Sequence, residues 1–444
     1  MKVFRAKAIV TSNEAHDVFE DGFLAIEKNK IVDVGPWKNR PRAKTAQIVD
    51  ATYGIIAPGL FNLHTHLPMT LLRGVAEDVD FQTWIFKIIL PLEKKWVSPE
   101  FVRIGTELAL CESLRNGVTF VSDMYYFESD IAACVDKFGL RGWLLEHIWD
   151  QESFDFPSGE AALEKSVSFV KKYKDHPRIR TGIAPHAPYT CSQEILRQSG
   201  EFAREHNAPM MIHLSETKKE FDDMQAQYQM TPTEYLEKSG VLKSPQILLA
   251  HSVWMKDSDF KILAKPNLSV VMNSQCNAKL ASGVAPVQQY LERGVRFVMG
   301  TDGAASNNNM DIIAEMNFLS KVHHLTEKNL KGLPGPIVFD AATRRAAEAV
   351  GLSKQLGSLE PGKEADFIIL NAEQPHLSPL TNVYAHLIYS ARGSDVESVY
   401  IAGKPLMKKY KILVADEAKI RARANALWAK MKKSIEMPKN STSS

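Results

Sequence analysis

Cysteine is scarce in this 444-residue sequence: Cys111, Cys134, Cys191 and Cys276 are the only four, and no two form a C-x-x-C pair. That excludes a disulfide-stapled scaffold and a cysteine zinc knuckle, and it predicts reduced thiols in a cytoplasmic protein. No apolar run reaches the roughly 18–20 residues of a membrane span. The strongest candidate, 86–92, is interrupted by Lys87 and Pro91. The N-terminal stretch has Lys2, Arg5 and Lys7 but no apolar core of a secretory leader. Charge of one sign is missing too. With 54 basic and 52 acidic residues the formal net charge is +2, which offers nucleic acid no electrostatic footprint. There is no G-x-G-x-x-G turn, no repeat at a solenoid period and no low-complexity linker. The remaining composition, 45% hydrophobic and 24% charged, is that of a globular protein with room for one large domain and a smaller one.

Residues 1–56 read as short strands, at 3–9, 21–27 and 30–34, joined by polar turns. Strand and helix patterns then alternate. Apolar runs at 55–63, 118–124, 141–147, 179–185, 209–214, 246–250, 268–272 and 296–301 predict strands. Helical spacing falls between and after them, as at 100–115, where Val102, Ile104, Leu108, Leu110 and Leu114 recur, and at 192–205, 286–293 and 310–323. Eight strands alternating with helices predict a parallel (β/α)8 barrel, with a doubly wound open sheet as the rival. Strand texture returns at 365–370 and 398–402. The expected division is a small β domain begun by 1–56, a barrel over 57–356, and the rest of the β domain with a C-terminal helix and a polar tail over 357–444.

The most informative feature present is Phe61-Asn62-Leu63-His64-Thr65-His66. Imidazoles at i and i+2 share one face of a strand, so one ion could bridge them. Singly, such a pair also reads as a hydrogen-bonded or solvated one, so the other strand ends matter. Barrel enzymes carry their chemistry at the C-terminal ends of strands. The first predicted strand ends in His64 and His66 and the fourth in Pro185-His186. The fifth ends in His213-Leu214-Ser215-Glu216, the sixth runs into His251, and the eighth ends in Thr301-Asp302-Gly303. Asp302 before a glycine also suits a turn, and Glu216 suits the start of a charged helix. Five of the eight strand ends carry His or Asp, and five of the chain's 13 histidines lie there, which favours a shared site.

Three imidazoles and a carboxylate (His64, His66, His213 and Asp302) are a ligand set for one Zn²⁺ with a position left for water. Fe²⁺ or Mn²⁺ is also compatible. Such an ion lowers the pKa of bound water from about 15.7 toward about 7. Asp302 is placed to take the water's proton, and His251 to hold the hydroxide and stabilise the tetrahedral intermediate. Glu216 is placed to act as general acid and base on a ring nitrogen and the leaving group. The reaction class is hydrolysis, or hydrolytic deamination, of an electrophilic carbon.

The segments 58–66, 213–217 and 301–308, with His251 between them and the late run 357–370, resemble the amidohydrolase superfamily in its mononuclear deaminase branch. The resemblance covers nearly the whole chain. It implies a barrel with a β-sandwich domain split between N- and C-terminal segments. Within the superfamily, residues 67–78, Trp84 and Leu90-Pro91-Leu92-Glu93 are similar to the S-adenosylhomocysteine / 5′-methylthioadenosine deaminase group. This likeness implies that Trp84 packs against a nucleoside and Glu93 binds both ribose hydroxyls, while His186 and Ser306 contact the purine beside Glu216. It also implies a purine nucleoside as the small-molecule partner, no nucleic-acid or membrane partner, and a homo-oligomer. Without the likeness, Trp84 reads as core and Glu93, before Lys94-Lys95, as a surface ion pair.

One segment departs from that pattern. Where members often read Ser-His-Asn-Pro-x-Ser-Asn-x-Lys-Leu, this chain has Val271-Met272-Asn273-Ser274-Gln275-Cys276-Asn277-Ala278-Lys279-Leu280. The metal ligands are untouched, but the pocket shape is altered. The expected activity is deamination of the adenine ring of adenosine thioethers, adenosine included. The alternatives are a deaminase or chlorohydrolase for a guanine-type or triazine-type ring, or a catalytically dead interaction scaffold.

Overall fold

The computed structural model describes residues 1–43 and 45–433; the polar tail at 438–444 lies outside the described residues. The chain opens with strands β1 (Lys2–Val10), β2 (Val18–Glu27), β3 (Lys30–Pro36) and β4 (Gln47–Pro58). It continues through β5 (Leu60–Thr65), β6 (Val118–Tyr125), β7 (Arg141–Ile148) and β8 (Ile179–Pro185). Then come β9 (Met210–Leu214), β10 (Ile247–His251), β11 (Leu268–Met272) and β12 (Phe297–Met299). It closes with β13 (Phe367–Asn371), β14 (Val396–Ile401), β15 (Lys404–Lys408) and β16 (Lys411–Ile412).

Strands β5 to β12 pair in sequence order, all parallel, with helices between them, which is the barrel and not the open sheet. The seam between β12 and β5 is tied by other bonds. Asn62 Nδ2 donates to Thr301 Oγ1 (2.7 Å), Thr301 N donates to Asn62 Oδ1 (2.9 Å), and Asp302 N donates to the His64 carbonyl (2.9 Å). Alternate side chains fill the interior, among them Phe61, Leu63, Phe120, Trp143, Leu145, Met211, Leu248 and Val298. Their neighbours Leu144, Ile148, Ile212 and Leu249 face the surrounding helices. A packed interior leaves the open end of the barrel as the place for a site.

The second sheet, in the order β16-β15-β14-β13-β4-β1-β2-β3, mixes strands from both ends of the chain. The joint is the antiparallel pair β4 and β13, with Ile56 opposite Ile369. A buried guanidinium fastens this sheet to the barrel: Arg141, at the start of β7, donates to both Asp366 oxygens at 2.6 and 3.0 Å. The apolar run expected as one strand over 55–63 is two. Residues up to Pro58 belong to the mixed sheet, and those from Leu60 to the barrel. Gly59 makes the crossing: a Cβ there would lie 2.3 Å from Thr119 Oγ1. Continuous hydrophobicity marks burial without telling which sheet is joined.

Gly300 has a similar role at the seam, where a Cβ would lie 2.8 Å from both the N and the Cβ of His64. Gly300→Ala should therefore destabilise the fold by about 1–3 kcal/mol through overpacking. In Gly35→Ala, by contrast, the new methyl group meets only the Phe23 ring at 3.4 Å. Thermal melts of the two variants should show a clear drop for the first and little change for the second.

Candidate active site

Strand alternation carries several groups into the barrel mouth. Inward Trp143 and Leu145 continue to His147, inward Ala184 to His186, and inward Met211 to His213. The first strand is different. Phe61 and Leu63 face inward, so strict alternation would send His64 and His66 the other way. The β5–β6 ladder is irregular between Asn62 and Thr65, and that break returns both imidazoles to the mouth. His251 and Asp302 arrive through left-handed backbone, at φ 67° and 66°, and Ser215 and Ser252 beside them are also at positive φ. Four non-glycine residues in that region around one cavity are a concentration of local strain, held by surrounding hydrogen bonds. Two of those bonds are Ser252 N to the Leu214 carbonyl (2.8 Å) and His251 N to Asn273 Oδ1 (3.3 Å).

The donor atoms converge. The Nε2 atoms of His64 and His66 each lie 3.2 Å from Asp302 Oδ1. The rings of His64 and His213 are centred 5.0 Å apart. One ligand atom from each of His64, His66 and His213 lies within 4.8 Å of the others, and the same holds for His64, His251 and Asp302. The far side of each ring is fixed. His66 Nδ1 donates to the Met124 carbonyl (2.6 Å) and His213 Nδ1 to the His186 carbonyl (2.8 Å), while His64 Nδ1 lies 2.9 Å from Met211 Sδ. Carbonyl acceptors at Nδ1 leave the Nε2 lone pairs directed inward, the arrangement that orients imidazole ligands. His64 Nε2 is fully buried and makes no hydrogen bond despite its distance to Asp302, so its lone pair is unspent. The donor set therefore fits a divalent transition ion.

The charge states of the three imidazoles differ. Burial pulls His64 down to about 4, and it holds His213 well below the ordinary imidazole range; both rings are neutral at pH 7. Burial would lower His66 as well, but Asp302 and, more weakly, Asp123 lift it to about 9. Burial raises the Asp302 carboxyl, yet the imidazoles of His64 and His66 hold it well below its usual range. Asp123 anchors the turn that carries His66: its Oδ2 accepts from Thr65 Oγ1 and from Leu67 N, both at 2.6 Å.

Around this set stand the acid and base candidates. Glu216 Oε2 is 3.8 Å from His251 Nε2. Burial raises the Glu216 carboxyl, with the nearby His251 opposing. The next turn of chain holds it in place, since Glu220 accepts from the backbone N–H of Ser215 and of Glu216, both at 2.9 Å. His251 Nδ1 is bonded to Asn277 Oδ1 at 2.8 Å, which leaves Nε2 toward the cavity. Asp302 Oδ2 accepts from Ser306 Oγ (2.6 Å) and from the Cys276 thiol (2.9 Å). Cys276 is thus the point at which the divergent 271–280 segment enters the site.

A pocket opens over these groups. His66, His213, Glu216, His251 and Asp302 line its floor, and Trp84, Glu93 and His186 its walls. Trp84 stands on a π-helical turn, Thr83–Ile89, that runs into the helix Leu90–Trp96 bearing Glu93. Its indole N–H is buried without a partner. Glu93 is buried rather than a surface ion pair: only 3% is exposed, and Tyr125 OH donates to Oε1 at 2.5 Å. Burial pushes it up to about 7. His186 Nδ1 bonds Thr190 Oγ1 at 2.8 Å, and burial lowers the ring to about 3. Ser306 is turned to Asp302 and does not line the cavity. Tyr125, Tyr126, His147 and Trp149, none of them a candidate from the sequence, also line the wall. Strand parity from Trp143 points to His147, but nothing in the sequence marks the two tyrosines.

Comparison with known proteins places the site in a family context. Residues 55–406 match the model of the Amidohydrolase family. The chain is 39% identical over 416 residues to a 5-methylthioadenosine/S-adenosylhomocysteine deaminase of Thermodesulfovibrio yellowstonii, covering 90% of this chain and 92% of that one. It is 39% identical over 420 residues to a 5′-deoxyadenosine deaminase of Methanosarcina mazei, covering 94% of each. A crystal structure of a Xanthomonas campestris adenosine deaminase with bound zinc superposes with a TM-score of 0.94 at 31% identity. That alignment covers 97% of this chain and 98% of that one.

A cation entering the site must displace the proton that His66 holds below about 9. Metal affinity, measured against a competing chelator, should therefore fall by roughly tenfold per pH unit as pH drops from 8 to 6. A pH-independent affinity would contradict the arrangement.

Proposed function

The chain belongs to the amidohydrolase family, and from that premise we infer that it is a zinc-dependent hydrolase that deaminates the adenine ring of adenosine derivatives. The observation that carries this reading is a single cavity with two dissimilar ends. At one end, the Nε2 atoms of His64 and His66 flank Asp302, His213 lies beside the two imidazoles, and Glu216 and His251 stand alongside. At the other, the buried carboxylate of Glu93 faces the same space. The names of the two deaminase relatives support ribose-bearing substrates, and the zinc in the Xanthomonas structure supports zinc as the ion.

His64, His66, His213 and Asp302 would hold the ion, which when bound makes a water molecule acidic enough to lose a proton near neutral pH. Asp302 accepts that proton, its Oδ2 held by Ser306 and Cys276. We assign Ser306 to this positioning of Asp302 in preference to purine contact. His251, set by Asn277, orients the water toward C6 and stabilises charge as the tetrahedral centre forms. Glu216, whose carboxyl is raised by burial, donates a proton to the ring nitrogen beside C6. Glu216 then takes the proton of the new C6 hydroxyl and passes it to the amino group, the C6–N bond breaks to give the C6 carbonyl, ammonia leaves with an inosine-type product, and the proton held by Asp302 returns to Glu216 through solvent. His186 keeps one nitrogen for the purine edge once Nδ1 is bonded to Thr190. The Trp84 indole covers the nucleoside, and Glu93 accepts from both hydroxyls of the ribose diol. A guanine-type or triazine-type ring is the weaker reading, because neither would give the buried Glu93 a diol to bind.

The four cysteines are all free and buried, which supports a reducing compartment and a cytoplasmic assignment. Among the described residues no helix is long and apolar enough to cross a membrane. A homo-oligomer remains part of the proposal on family likeness alone.

Glu216→Gln should retain its metal and lose at least about a hundredfold in turnover; undiminished ammonia release would remove Glu216 from the mechanism. Glu93→Ala should raise KM for nucleosides while leaving any slow activity on free adenine unchanged. An equal loss on both would contradict a diol contact.

A further inference from the structure

With the purine over the ion and the diol on Glu93, a third region of the cavity is left for whatever the ribose carries at its 5′ carbon. It is bounded by the ends of β6 and β7. Tyr125 bonds Glu93 and packs against Tyr126 with centroids 4.9 Å apart. Tyr126 packs on His147 (4.9 Å) and Phe154 (4.4 Å), and His147 on Trp149 (5.8 Å). Trp149 stacks on His186 at 5.5 Å and 15°, and His186 meets His213 at 4.8 Å. The rings thus form a continuous wall from the diol end of the cavity to the purine end. Tyr126 and His147 are at least nine-tenths buried. Across from them the segment around Trp84 contributes Phe81, Ile85 and Phe86.

We propose that Tyr126, His147 and Trp149 form a subsite for the 5′ substituent, and that it selects nucleosides with a small apolar or thioether group there over those bearing an amino-acid zwitterion. The inference rests on the nucleoside reading given above. A thioether sulfur or a methyl group packs favourably on aromatic edges and faces. A carboxylate in the same place would be desolvated with no compensating charge. The carboxyl groups lining the cavity are those of Glu93, Glu216 and Asp302, and among the described residues no Lys or Arg lines it. An unpaired buried charge is costly. The two deaminase relatives bear names that span both kinds of 5′ group, so the choice is open to experiment.

The test is kcat/KM of the zinc-loaded enzyme on 5′-methylthioadenosine, 5′-deoxyadenosine, adenosine and S-adenosylhomocysteine. The first two should exceed S-adenosylhomocysteine by about tenfold or more, the scale of one unfavourable polar burial. Trp149→Ala should lower 5′-methylthioadenosine about three- to tenfold more than adenosine, narrowing the ratio between them. Trp149→Arg should shift preference toward S-adenosylhomocysteine, and Trp149→Leu, which keeps an apolar surface, should restore most of the thioether preference. S-adenosylhomocysteine turned over as well as the thioether, or a Trp149→Ala loss equal on all four substrates, would overturn the subsite while leaving the deaminase reading standing. No ammonia from any of the four would overturn both.

Discussion

The site depends on closing the barrel between its last strand and its first. The ends of β12 and β5 are joined by the paired bonds of Asn62 with Thr301 and by the Asp302 amide on the His64 carbonyl. This seam sets the Asp302 carboxylate 3.2 Å from two imidazoles that come from residues more than 230 positions earlier in the chain. Gly300 allows the approach because a side chain there would collide with His64. A looser seam would leave the same residues in the sequence and no common centre for an ion.

Low dielectric surroundings make the arrangement chemically useful. Burial holds His64 and His213 neutral and raises Glu216 and Glu93, whereas the imidazoles around Asp302 keep it ionised. Neighbouring carboxylates are thereby divided between roles: one stays an anion suited to an ion and a water proton, and another stands nearer to giving up a proton at working pH. The strained backbone at Ser215, His251, Ser252 and Asp302 is confined to this rim, where the barrel's rigid strands can sustain it.

Much of this was legible in the sequence because the barrel repeats one rule. The candidate residues sit within a few positions of a strand's C-terminal end, on either side of it. His64, His66, His213, His251 and Asp302 could all be found that way, and the structure gathers them into one space. What stayed hidden depends on contacts between distant segments. The 55–63 run could not reveal that it feeds two different sheets, since both environments are apolar. Glu93 followed by two lysines looks like a surface residue until Tyr125 is brought across it. The bond from the Ser306 hydroxyl to Asp302 likewise joins a residue to a neighbour that the sequence does not mark as its partner. His147 follows the same parity as its neighbours, but a lone histidine on an apolar strand has an ordinary structural explanation and does not by itself mark a site.

The mixed sheet has a consequence for how the molecule comes into being. Its central pair, β4 and β13, joins segments separated by some three hundred positions, and Arg141 at the foot of the barrel is neutralised by Asp366 from the later one. During synthesis the N-terminal strands must therefore wait, with an open edge, until nearly the whole polypeptide has emerged. Burial of that waiting edge is a late event that follows emergence of the barrel strands, so a chain halted before residue 366 would expose both a sticky strand and an uncompensated guanidinium.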